Sequence, residues 1–228
     1  MKFLRLLGFL ALCATARADL TIVQQMNGAE GLHKITFKVK GDKARVEVNP
    51  QVTTIIDAKS GDLTTLLNDK KSVMRISGER AKAMAEMAKS FVKEENPEQA
   101  LPKPTGRKET IKGYETEEYV TDSPKYHASY WVAKSYPNYE GILQQMALLQ
   151  RGAFAGITKG MPDYHALPGL PMRTEIKTSG QGEITSTIES VSLEPLPASE
   201  FEIPAGYSEM KMPDFLQSKP PPDKPGNP

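Results

Sequence analysis

The chain has 228 residues, with 29 Lys and Arg against 28 Asp and Glu, one Cys, one Trp, three His, ten Met and eighteen Pro. Near-neutral charge offers no basic stripe for nucleic acid. One Cys excludes a disulfide framework and any zinc site built on several thiolates. The length suits one sizeable core or two small ones.

Residues 1–18 read as an export address. Lys2 and Arg5 precede an apolar run, Leu6–Cys13, and Ala16-Arg17-Ala18 supplies a small-x-small cleavage pattern. Lipidation at Cys13 is disfavoured because Leu12, not a small residue, stands before it. Cleavage after Ala18 removes Lys2, Arg5, Arg17 and the only Cys, so the formal charge moves from +1 to −2. The expectation is a cysteine-free protein of the periplasm or the exterior, where a stray thiol is a liability. No later segment reaches the eighteen apolar residues of a spanning helix.

From Leu20 to Ser77 the pattern has period two. Ile35, Phe37 and Val39 alternate with lysines, Gly41-Asp42 turns the chain, and Ala44, Val46 and Val48 alternate again. Val52–Asp57, Leu63–Asn68 and Ser72–Ser77 follow, with gaps too short for a crossover helix, so neighbouring strands run antiparallel. Between Glu79 and Glu94 the period becomes helical through Ala81, Met84, Ala85, Ala88, Phe91 and Val92, and Asn96-Pro97 stops it. Gln99–Gly106 reads as loop. Strands resume at Arg107–Ile111, Thr116–Thr121 and Tyr126–Ala133, followed by a second helix from about Asn138 to Arg151. Gly152–Gly169 reads as a long irregular segment, Pro171–Ser179 and Glu183–Val191 as a hairpin, and residues 211–228 as a Pro-rich disordered tail. The sum is a single α+β domain over residues 19–210, with about eleven antiparallel strands. Its sheet should have one polar and one apolar face, the latter covered by the two helices.

No residues with chemistry-bearing spacing stand out. His33, His127 and His165 lie too far apart in sequence for a metal-ligand motif. A Ser129–His127 relay would leave the two groups about 7 Å apart along a strand. Glu115, Glu117 and Glu118 read as solvated strand residues, and no phosphate loop, dinucleotide fingerprint or metalloprotease motif is present. The expectation is no catalysis, no cofactor and no metal. The methionines are the stronger clue, because this polarizable side chain is over-used at surfaces that accept varied apolar ligands. Met84 and Met87 on the first helix and Met146 on the second should meet over the apolar face. Tyr130 shares a strand face with Tyr126, Ala128 and Val132, whereas Trp131 lies on the other.

Several stretches together resemble the bacterial envelope family known as domain of unknown function 4412. They are Lys40-Gly41-Asp42-Lys43-Ala44-Arg45, Thr54-Ile55-Ile56-Asp57 with the Gly61 turn, and Lys112-Gly113-Tyr114 before Glu117-Glu118-Tyr119. Tyr130-Trp131-Val132-Ala133 and Phe201-Glu202-Ile203-Pro204-Ala205-Gly206-Tyr207 complete the set. That family is similar in architecture to the lipoprotein carriers LolA and LolB. The resemblance implies a half-barrel of eleven antiparallel strands, covered by helices over an apolar cavity that takes acyl chains. It brings no catalytic residues.

The first reading is therefore a binding protein for a lipid or acyl chain, with Met84, Met87, Phe91, Ile142, Met146 and Tyr130 as lining residues. The alternative is an envelope structural or protein-interaction module with a filled core and a protein partner.

Overall fold

The computed structural model describes residues 18–29, 31–91, 101–122, 126–147, 164–178 and 182–210. The segment before Ala18 that is expected to direct export, the helix ends expected at 92–94 and 148–151, most of the 152–169 segment and the Pro-rich tail lie outside the described residues.

Alternating runs joined by short turns generate the first half of the sheet. β1 (Leu20–Gly28), β2 (Gly31–Lys40), β3 (Lys43–Asn49), β4 (Val52–Asp57), β5 (Leu63–Leu67) and β6 (Ser72–Ile76) each pair antiparallel with the next. The second half comprises β7 (Lys103–Ile111), β8 (Tyr114–Asp122), β9 (Tyr126–Ala133), β10 (Leu170–Thr178) and β11 (Gly182–Ser192), likewise antiparallel. β1 pairs with β11 and so fuses the halves into one open sheet, in the order β6-β5-β4-β3-β2-β1-β11-β10-β9-β8-β7.

The α+β, single-sheet reading holds, with twelve strands among the described residues instead of eleven. The extra one, β12 (Ser208–Glu209), is two residues long and lies parallel to the edge of β6. A pair so short leaves no alternation to read. β7 also begins at Lys103, inside the stretch expected to be loop. Pro104 is tolerated there because β7 is an edge strand, with no neighbour needing its missing N–H.

Cross-strand register lines the apolar residues into two rows. One runs Leu20–Val39–Ala44–Ile56–Leu63–Ile76, the other Ile22–Phe37–Val46–Thr54–Thr65–Met74, both from β1 to β6. α2 (Tyr139–Met146) adds Ile142, Leu143 and Met146 to the same core as Leu20, Ile22 and Val39. α1 (Gly78–Phe91) starts where Ser77 Oγ accepts the Arg80 N–H at 3.3 Å, a hydroxyl cap, and it buries Ala81.

The opposite face is not uniformly polar, which corrects the one-sided expectation. Ile55, Leu66 and Val73 form a buried cluster there beneath Phe201, with Leu196, Ile203 and Tyr207 packed around it. The segment from Leu193 to Glu209 is thus a strap across β4–β6, a cover of the sheet besides α2. Burying a side chain such as Phe201 stabilises by about 2–3 kcal/mol.

Candidate functional site

Both apolar rows are better covered at the β1 end than at the β5–β6 end. Leu20, Ile22, Val39, Ala44, Val46 and Ile56 are buried, whereas Phe37, Thr54, Thr65 and Met74, with Leu63 and Ile76 at the β5–β6 end, remain half-buried. Beyond β6 the chain enters α1, whose Met84 and Met87 are 37% and 47% exposed. The result is a half-open apolar strip on β2–β6, with exposed methionines on the helix that follows it.

The six residues singled out from sequence divide into groups. Ile142 and Met146 are buried together in the main core. Tyr130 is buried in a second cluster with Tyr119, Ala128, Val132 and Leu167, and Tyr164 packs against both clusters. Burial pushes the Tyr130 phenol up, and it pushes Tyr164 up to about 12. Met84 and Met87 join neither cluster, and the Phe91 side chain lies outside the described residues. Among the described residues, Ile142 and Met146 thus share one core of which Met84 and Met87 are not members.

On the face opposite Tyr130, β9 presents Ser129 and Trp131. Cross-strand pairing places Trp131 between Glu118 of β8 and Arg173 of β10. The Arg173 guanidinium lies 4.9 Å from the indole centroid and that of Arg107 lies 5.6 Å away, both within cation–π range. Glu118, 2% exposed, takes hydrogen bonds from Ser129 Oγ at 2.8 Å, Thr105 Oγ1 at 2.7 Å, Arg107 Nε at 2.6 Å and Arg107 Nη2. The Arg107 hydrogen bonds outweigh burial and, helped by Thr105 and Ser129, hold the carboxyl at about 2. Glu109 grips Arg173 through both oxygens, at 3.0 and 2.5 Å. Arg173 Nε also lies 2.8 Å from Glu175 Oε1, an ion pair not aligned for a hydrogen bond.

Glu118 is thus a buried, ion-paired group, which corrects its reading as solvated. The only sequence signal was indirect: it faces the sole Trp across one strand pair. Ser129 bonds Glu118, and His127 Nδ1 instead lies 2.5 Å from Asp122 Oδ1, so no Ser–His relay forms.

Two open clefts, of about 380 and 500 Å³, are lined respectively by residues such as Lys34, Arg45 and Asn68, and Ile55, Arg75 and Phe201. Among the described residues, neither draws a lining residue from α1 or α2. Among the described residues no trio of His, Cys, Asp or Glu is placed to hold a metal ion, and no helix is long and apolar enough to cross a membrane.

A family profile described as "Domain of unknown function (DUF4412)" matches residues 19–207. No curated protein sequence matches the chain. Among solved structures, PNGF-II is similar at 15% identity and a TM-score of 0.40, over 88% of this chain and 33% of that one. The chain thus spans about a third of the length of PNGF-II. A structure described as an outer membrane lipoprotein-sorting protein domain from Vibrio parahaemolyticus aligns at 14% identity and TM-score 0.33, over 82% and 90% of the two chains. A DUF1329 family protein from Desulfovibrio piger aligns at 11% identity and TM-score 0.28, over 82% and 91%.

Proposed function

The chain belongs to the DUF4412 family, and from that footing we propose that it is an envelope protein, periplasmic or secreted, that binds a lipid or acyl chain along the half-open strip of β2–β6. The observation that carries this reading is the strip itself. Phe37, Thr54, Thr65 and Met74 share one cross-strand row with the buried Val46 and stay half-buried, while α1, which follows β6, leaves Met84 and Met87 exposed. Apolar surface left open in this way gains about 25 cal/mol for each Å² that a ligand removes from water. Methionine suits a contact that must adapt to ligands of differing shape. The core beneath α2 is filled, so the reading places the ligand on the α1 side. The export address at residues 1–18 supports the compartment, and the reading assigns no catalysis.

The test is native mass spectrometry of the exported protein, with lipid extraction of the same sample and titration of a fluorescent fatty acid. Lipid should co-purify. Thr65→Glu, which sets a charge in the middle of the strip, should weaken fatty-acid binding at least tenfold. Met84→Trp should change affinity without loss of fold. A protein that is always empty and never enhances the probe would overturn the reading.

The filled core around Ile142, Leu143 and Met146, each at most 4% exposed, favours the second reading, an envelope interaction module without a small ligand. Its outcome in the same experiment is an empty protein whose strip variants bind the probe no differently.

A further inference from the structure

The edge strand β7 is held unevenly along its length. Every residue from Lys103 to Thr110 is exposed, and Ile111 alone is buried. The C-terminal half pairs regularly with β8, from Lys108 opposite Glu117 to Ile111 opposite Tyr114, and Glu109 adds its two bonds to Arg173 of β10. The N-terminal half does not pair regularly. Between Pro104, opposite Tyr119, and Lys108, opposite Glu117, β7 has three residues where β8 has one. Such a bulge disrupts the backbone ladder. Gly106, at φ +79°, lets the chain bend there.

Side chains replace the disturbed ladder. Thr105 and Arg107 both reach the buried Glu118, and the Arg107 guanidinium lies against Trp131. Proline and exposed charge on this edge also discourage pairing with another chain.

We propose that the N-terminal half of β7 is a releasable flap, and that the Arg107–Glu118 pair seated beside Trp131 is its latch. The flap swings where regular pairing with β8 begins, because Glu109 and Ile111 keep the C-terminal half in place. Release bares the edge of β8 around Glu118 and opens one side of Trp131, while the apolar rows of β1–β6 stay covered as before.

Hydrogen exchange by mass spectrometry on the folded exported protein tests the latch, with Trp131, the only tryptophan, as an optical reporter. Arg107→Gln should speed exchange at 103–107 at least tenfold, leave β1, β10 and β11 unchanged, and make Trp131 emission redder and more open to acrylamide. Because that variant strands a buried carboxylate, the double variant Arg107→Gln, Glu118→Gln is measured beside it and should show the same local release. Lys108→Gln removes the exposed pair with Glu115 and should leave the flap closed. No change in either latch variant, a uniform rise across all strands in both, or an equal rise in Lys108→Gln would overturn the proposal.

Discussion

Asp19 and Leu196 are joined by a 2.7 Å hydrogen bond, from the Leu196 N–H to Asp19 Oδ2, although 177 residues separate them. The same oxygen accepts Lys40 Nζ at 2.6 Å. One carboxylate before β1 thus fastens the start of the strap that follows β11.

Asp19→Asn should weaken that fastening. Burial raises the carboxyl pKa, but the hydrogen bonds from Lys40 and Leu196 and the Lys40 charge outweigh it and hold the group below its ordinary value. A depressed carboxylate stabilises above its unfolded pKa, about 3.9, and loses that contribution as pH falls through the folded value. Urea denaturation at pH 7 should show a loss of about 1–3 kcal/mol. The gap between variant and parent should close as the pH is lowered below 4.

Glu118 should give the wider acid window. Its folded value of about 2 lies below the ordinary glutamate value near 4.3. Its stabilisation is fully present above that unfolded value and is withdrawn as pH falls towards 2. Glu118→Gln should therefore cost most at pH 6–7 and progressively less between pH 4 and 2. Denaturation midpoints across that range check the sign.

Gly78→Ala should destabilise, against the rule that alanine favours a helix over glycine. A Cβ at position 78 would lie 1.9 Å from the Ser60 carbonyl oxygen and 2.9 Å from Gly61 backbone atoms. Both contacts are to backbone and cannot rotate away. Moving the helix start also strains the 2.8 Å bond from the Gly78 N–H to Asp62 Oδ1. The expected loss is about 1–3 kcal/mol, read as a lower Tm by circular dichroism.

Phe201→Ala should loosen the strap. It empties the centre of the cluster with Ile55, Leu66 and Val73, at a cost of about 3–5 kcal/mol. Limited proteolysis should then cut within residues 193–210 before the sheet is attacked. Cleavage in the sheet first would show that the strap is held chiefly by its polar bonds, among them Arg45 Nη1 to the Glu200 carbonyl at 2.8 Å.

The hairpins were legible because Ile35, Phe37 and Val39 alternate cleanly and face Ala44 and Val46 across a two-residue turn. The strap was hidden because Leu196, Phe201, Ile203 and Tyr207 follow no period. Its docking ground was visible in retrospect: Ile55-Ile56 and Leu66-Leu67 are adjacent apolar pairs, and a strand with such a pair must bury something on each face. The α2 side of the candidate site was readable from helical spacing at Ile142, Leu143 and Met146. The half-open row through Phe37, Thr54, Thr65 and Met74 was not, because two of its members are threonines and only register aligns the four. Glu118 was missed for a related reason. A carboxylate on an alternating strand looks solvated until the partner strand supplies Ser129 and the edge strand supplies Arg107.

The junction of β1 with β11 sets the order in which this sheet can form. β1–β6 and β7–β11 are each runs of neighbours in sequence, and every step except β9 to β10, which spans α2, can zip from a short connection. The union of the two pairs Thr21 with Ser192, which requires closing a loop of nearly the whole domain. That closure should limit the folding rate, and until it occurs two half-sheets coexist, each with a bare central edge. The strap runs from β11 back onto β4–β6 and engages only after the halves have met. It acts as a late-forming tie that slows their separation, so truncating it should accelerate unfolding far more than it slows folding.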